Sequence, residues 1–171
     1  NPSLYLTIST ESGPIKTSNG SENFGGLTTY FSHQAKVNGG YIIRLRIKDQ
    51  GFVETQLMQK YFDNVKKGPM TIEFRISWDS GDKTETRKAI ITNIDNRGDG
   101  MPTNIIDIIA VDPPSYYLMA GNASGKVYTG RVSDIIQKVV EEYSGGKISV
   151  DMPKTNDSQH NKHWMMRMGP K

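Results

Sequence analysis

Apolar and polar positions alternate with a period of two through most of the N-terminal part of the chain, as they do in strands with one buried face. Leu4, Leu6 and Ile8 share one face of a first strand. Leu27–Val37 reads as a second. In Tyr41–Ile47, Ile43, Leu45 and Ile47 alternate with Arg44, Arg46 and Lys48, so one face is buried and the other charged. Asn38-Gly39-Gly40 between these two runs is a turn signal, and a hairpin is expected. In Thr71–Trp78, Ile72, Phe74, Ile76 and Trp78 are expected inside, with Glu73, Arg75 and Ser77 outside. Thr84–Ile94 carries Ala89, Ile90, Ile91 and Ile94. Asn104–Val111 is apolar almost throughout, which predicts a central strand. The Ser/Gly/Asn-rich stretch Gly13–Gly26 reads as a loop.

The period changes twice. Over Phe52–Lys66, Val53, Leu57, Tyr61 and Val65 step by four, with Met58 and Phe62 beside them, and Gly68-Pro69 closes the run. That predicts an amphipathic helix. Val132, Ile135, Ile136, Val139, Val140 and Tyr143 form the second helical stripe, with Ser133, Asp134, Gln137, Lys138, Glu141 and Glu142 on the polar side. Thr129 or Ser133 is the expected N-cap, and Gly145-Gly146 the stop. Asp112-Pro113-Pro114 ends the strand-rich part. A short strand is expected at Lys147–Val150 and a polar loop over Asp151–Lys162. Trp164, Met165, Met166 and Met168 restart an apolar pattern.

These elements predict an α+β chain that is mainly β. Residues 1–115 would form a six-stranded antiparallel β-barrel, closed or nearly so, with one helix packed at its side. Residues 116–171 would begin a second, helix-containing domain. The chain opens on Asn1-Pro2-Ser3 and stops just past the Trp/Met cluster, so a piece of a longer protein is expected.

Composition narrows the chemistry. A net charge of +3 without basic runs gives no case for nucleic acid. Cysteine is absent, which removes disulfides, thiolate nucleophiles and Cys-based metal sites. No apolar run approaches the roughly 20 residues of a membrane-spanning helix. His160 and His163 lack further ligands at useful spacing, and His33 stands alone in a strand. Asp95-Asn96-Arg97-Gly98-Asp99-Gly100 resembles the start of a calcium loop. However, Arg97 stands where an oxygen ligand is needed and Ile106 where a bidentate Glu belongs, so a hairpin turn is the better reading. Arg97-Gly98-Asp99 carries no weight as an adhesion tripeptide. The acceptor triplets at Asn19, Asn122 and Asn156 fall in loops. No carboxylate pair, phosphate loop or nucleophile elbow is present, so neither enzyme activity nor a cofactor is expected.

Arg44, Arg46, Lys48, Arg75, Arg87 and Lys88 make a basic set on strand faces expected to point outward. Glu73 and Glu85 are their expected cross-strand partners. Arg44, Arg46, Arg75 and Arg87 are the candidate interface residues. Tyr30, Tyr116, Tyr117 and Trp164 are an alternative set, suited to an aromatic platform for carbohydrate or another cell-surface ligand.

The order of pieces carries a resemblance. A strand-rich module with a side helix leads into NIIDIIAVDPPSYYLM, then KVYTGRVSDIIQKVVEEY, then a polar segment ending in HWMMRM. This layout resembles the N-terminal part of baseplate hub proteins of contractile-tailed, T4-like bacteriophages. The resemblance implies a first barrel with the fold of a tail-tube subunit, and a middle domain begun by the Val132–Tyr143 helix. It also implies a homotrimeric ring in the virion's tail baseplate, made in the host cytoplasm. Its partners would be the tail tube protein, the central spike protein and other baseplate proteins.

Overall fold

The computed structural model describes residues 2–17, 19–37, 39–48, 63, 67–78, 81, 83–96, 105–120, 126–155 and 164–166. The chain is mainly β and divides into two compact units, Asn1–Asp112 and Pro113–Lys171. The helix expected over Phe52–Lys66 lies, apart from Asp63, outside the described residues.

The first unit holds β1 (Ser3–Thr10), β2 (Gly13–Pro14), a 3-10 turn at Gly25–Leu27, β3 (Thr28–Ala35), β4 (Tyr41–Lys48), β5 (Thr71–Ser77), β6 (Arg87–Asn96) and β7 (Ile105–Val111). They form one antiparallel sheet of seven strands, in the order β2-β1-β5-β6-β7-β4-β3. The expectation was six strands in a closed or nearly closed barrel. The additional strand is Gly13–Pro14, too short to leave a periodic trace. The sheet is open in its hydrogen bonding, because no described ladder joins β3 to β2.

It is nevertheless strongly coiled. β3 and β5 are separated in the sheet by β4, β7 and β6, about 19 Å if the sheet were flat. Yet the ring centroids of Phe31 on β3 and Phe74 on β5 lie 5.4 Å apart. One face therefore wraps around the core, where Leu6, Ile8, Ile43, Ile47, Ile72, Ala89 and Ala110 are fully buried. Each large side chain so enclosed contributes about 1.5–3 kcal/mol by leaving water.

The alternation read from β4 holds: Ile43, Leu45 and Ile47 are buried and Arg44 and Lys48 exposed. β7 is an interior strand, between β6 and β4, as its apolar run predicts. Two further expectations for this unit are not met. Trp78 is 44% exposed instead of inside. It lies one position past β5, beyond the Ser3–Ser77 pair that ends the β1 ladder, so no strand covers it. The loop Gly13–Gly26 is not merely a connection: Phe24, Ile15 and Thr17 are buried.

That loop is fastened along β1. Leu6 N donates to Asn23 Oδ1 at 3.0 Å, and Gly25 N donates to the same oxygen at 2.9 Å. Phe24 N donates to Leu6 O at 2.7 Å and Ile15 N to Ile8 O at 2.8 Å. Gly25 is needed here because a Cβ at that position would lie 1.7 Å from Leu4 O.

The second unit contains α1 (Pro113–Ala120), β8 (Lys126–Tyr128), α2 (Val132–Ser144) and β9 (Trp164–Met166). β8 and β9 pair antiparallel. Lys147–Val150, expected as a strand, is not one; Lys126–Tyr128 takes that role. α2 buries Ile135 and Val139 and half-buries Val132, Ile136, Val140 and Tyr143, which is the predicted stripe. Its N-cap is Arg131, which caps through no side-chain hydrogen bond. Ser133 is buried rather than solvated, because Ser133 N donates to Thr155 Oγ1 and Thr155 N to Ser133 Oγ, each at 3.3 Å. A first-turn amide is thus satisfied from a distant stretch of chain instead of from a local cap.

Candidate interface

The outer face of the sheet can be read as rows of side chains across β4, β7 and β6. Ile42, Val111 and Ile90 form one row, then Arg44, Ile109 and Asn93, then Arg46, Asp107 and Asp95. The face is mixed. Ile42 is 38% exposed and Ile109 and Val111 are half-buried, with arginines and aspartates beside them.

Three of the four candidate arginines reach this outer side. Arg44 is exposed and has no carboxylate partner among the described residues. Arg46 is held in a fork by Asp107, Nε to Oδ1 at 2.7 Å and Nη2 to Oδ2 at 3.1 Å. That hydrogen bond and the aspartate's charge raise the Arg46 pKa, so it stays charged at any working pH. Arg75 sits over the Tyr5 ring, its guanidinium carbon 4.7 Å from the centroid.

Arg87 is different. It lies opposite Phe74 and alternates with the buried Ala89 and Ile91, which places it at the rim of the inner face. There Arg87 Nη1 donates to His33 Nε2 at 3.4 Å. A guanidinium can only donate, so His33 is neutral with Nε2 unprotonated. The His33 ring meets Tyr41 edge-on at 5.0 Å and Phe74 at 5.7 Å. Partial burial, then the Arg87 charge, lower its pKa below 6.5. Tyr41 donates its hydroxyl to Lys88 O, and burial, then the Asp112 carboxylate, raise its pKa.

The four arginines do not form one patch. Thr71 and Ile42 mark the same row through Ile90 and Val111, and Arg75 and Arg44 diverge from that row in opposite directions. They end about 20 Å apart along the strands and about 14 Å across them. Lys88 is paired with Glu73 at 2.9 Å, as expected of cross-strand neighbours. Glu85 is exposed and forms no ion pair among the described residues.

Asp107 is the partner that strand periodicity does not single out. Its signal is a lone carboxylate in the middle of the apolar run NIIDIIAV, which calls for a cation on a neighbouring strand. The aromatic set is likewise dispersed. Tyr30 is 52% exposed on β3, whereas Tyr116 and Tyr117, on α1, are half-buried and meet each other edge to face at 5.2 Å. Trp164 is placed only as a strand position.

In the second unit, Tyr128 donates its hydroxyl to Glu142 Oε2 at 2.9 Å. Partial burial, this bond and the Glu142 charge push its pKa up to about 12. An open groove runs between Gln137 and Glu141 on α2 and the segment Gly146–Val150, lined by no catalytic constellation. Among the described residues no three metal-ligating side chains converge, and no helix is long and apolar enough to cross a membrane. His160, His163 and the Arg97–Gly100 part of the calcium-like turn lie outside the described residues. No protein-family model matches the chain, and no curated protein matches it in sequence.

Proposed function

We propose that the chain is the N-terminal part of a baseplate hub protein of a contractile-tailed phage, a structural component without catalytic activity. Three copies of the whole protein would form a ring in the virion's tail baseplate, joining the tail tube to the central spike. The reading rests on the layout of the chain: a strand-rich module, then an amphipathic helix, then a polar segment leading to a Trp/Met strand. The coiling that brings Phe31 against Phe74 supports it, since a tail-tube-like barrel requires such a sheet. The outer face adds support of a general kind: although Ile90 on it is buried, it exposes Ile42 beside Arg44, Asn93 and Asp95, a mixture of apolar and charged groups such as an assembly surface offers.

The test is reconstitution with tube and spike proteins, read by electron microscopy and light scattering. The expected product is a three-fold ring seated on the spike. Arg44→Glu is expected to weaken ring formation without unfolding the chain, because Arg44 is exposed and its charge is unneutralised by any described carboxylate. A mixture in which the protein stays monomeric and unattached sinks the proposal. The alternative, a carbohydrate or cell-surface binding module built on a β-barrel, is less well supported. Tyr116 and Tyr117 are engaged with one another, and Tyr30 stands on a different unit.

A further inference from the structure

The two edges of the seven-stranded sheet are finished differently. On β1, the Gly13–Leu27 segment takes up the outward backbone groups. Leu6 N and O are bonded to Asn23 and Phe24, Ile8 O to Ile15, and Ser9 and Thr10 pair with Pro14 and Gly13. Gly25 packs directly on Leu4 O. These β1 groups are therefore not available to a further strand.

The β3 edge carries no further strand among the described residues. Along Thr29–Ala35 its outward backbone groups have no hydrogen-bond partner among the described residues. Edge strands are normally kept from pairing by being short, charged, bulged, interrupted by proline or covered. β3 is eight residues long, TTYFSHQA, with neither proline nor a formal charge. Its irregularity is a register shift near its start, between Thr28 and Tyr30.

We propose that this edge pairs with the β3 of a second copy of the chain, antiparallel and about a two-fold axis. The closed β1 edge decides the geometry. With the β1 groups taken up, a second copy is not expected to extend the sheet head to tail, which would build a fibre, so of the two edges of this sheet its own β3 is the one left open among the described residues. Two identical strands running antiparallel satisfy each other's donors and acceptors and close the assembly at two. An uncharged strand places no like charges face to face. Lys36, the first charge beyond it, falls at opposite ends of the pair. Tyr30, Ser32 and Gln34 of each copy line the outer side of the joint, where Tyr30 gains a neighbour for its exposed ring. A strand pair of this length buries less than the roughly 1,200 Å² of a standard interface, so the dimer is weak and depends on concentration. The inference does not rest on the hub reading. In the free chain this pairing competes with any assembly that uses the same edge.

Sedimentation equilibrium of the chain from about 1 μM to about 1 mM, the range of weak complexes, tests it. The expected result is a monomer–dimer equilibrium with nothing larger. Thr29→Lys combined with Gln34→Lys, both at exposed positions, should weaken dimerisation at least about tenfold while leaving the circular dichroism spectrum unchanged. Hydrogen exchange of the unaltered chain supplies a reading without substitution: protection of β3 amides should rise with concentration. A monomer throughout, a species larger than a dimer, a dimer indifferent to the two lysines, or β3 exchange independent of concentration each overturns the proposal. None of these outcomes depends on tube or spike proteins.

Discussion

Asn23 shows how much one side chain can organise. Its Oδ1 takes two backbone donors, from Leu6 and from Gly25, and so ties the covering loop to the first strand. Replacing it with alanine leaves both amides to find water in a partly buried place. We expect Asn23→Ala to cost about 1–3 kcal/mol in urea unfolding, and the buried Phe24 beside it to become more accessible. His33 offers a pH dependence. Its pKa is lowered in the folded chain, so below the ordinary value of 6.5 the unfolded chain takes up a proton that the folded chain resists. Stability should therefore fall as pH drops through about 6.5, and level off once the folded chain is protonated as well. His33→Gln should flatten that part of the profile, as urea midpoints across the window would reveal. Neither residue stands out in the sequence. Asn23 sits in a stretch whose composition says only loop, and two of the neighbours of His33, Phe74 and Arg87, come from strands far away in the chain.

At the level of elements, what could be read depended on whether the signal was local. β4 was legible because burial on one side and charge on the other leave a period-two trace in adjacent residues. The body and stop of α2 were legible for the same kind of reason. Gly145 has φ +59°, Gly145 N reaches Glu142 O at 3.3 Å and Gly146 N reaches Glu141 O at 2.8 Å, the arrangement that Gly-Gly after a helix predicts. Open space surrounds a Cβ at Gly145, so Gly145→Ala should cost only the backbone strain of the left-handed conformation, about 1 kcal/mol. A lowered melting temperature of the second unit, with the first unit unaffected, would be the sign. The start of α2 was not legible, since its amide partner Thr155 is 22 residues from Ser133. Nor was α1, whose apolar residues are spread around the helix instead of forming a stripe. Pro113 at its first position was the available clue.

The whole molecule was legible as a class and not as a closure. Alternation predicts antiparallel strands and a mainly β chain, but it cannot say whether the last strand returns to the first. That depends on how each edge is satisfied, and the β1 edge is satisfied by a loop. The candidate arginines show the same limit: alternation puts Arg44, Arg46 and Arg75 on the outer face, and only strand order reveals that Arg75 stands apart. Asp95 and Asp107 face each other across β6 and β7, a like-charge pair that the fork from Arg46 to Asp107 offsets. For the ring we propose, this makes Arg44 the residue to change first, since changing Arg46 would also release Asp107 beside another aspartate.

The strand order also has a consequence in time. β3–β4 and β5–β6 are neighbours in sequence and can pair as soon as each has been synthesised. β4 can meet β7 only once Ile105–Val111 has been made, and Tyr41 N then bonds Asp112 Oδ1 at 2.8 Å across 71 residues. Until then β4 lacks its second neighbour, and the growing chain carries hairpins with bare edges on either side. A chain of this topology is therefore most open to pairing with its own siblings during the interval before residue 112 leaves the ribosome, when many copies are made together.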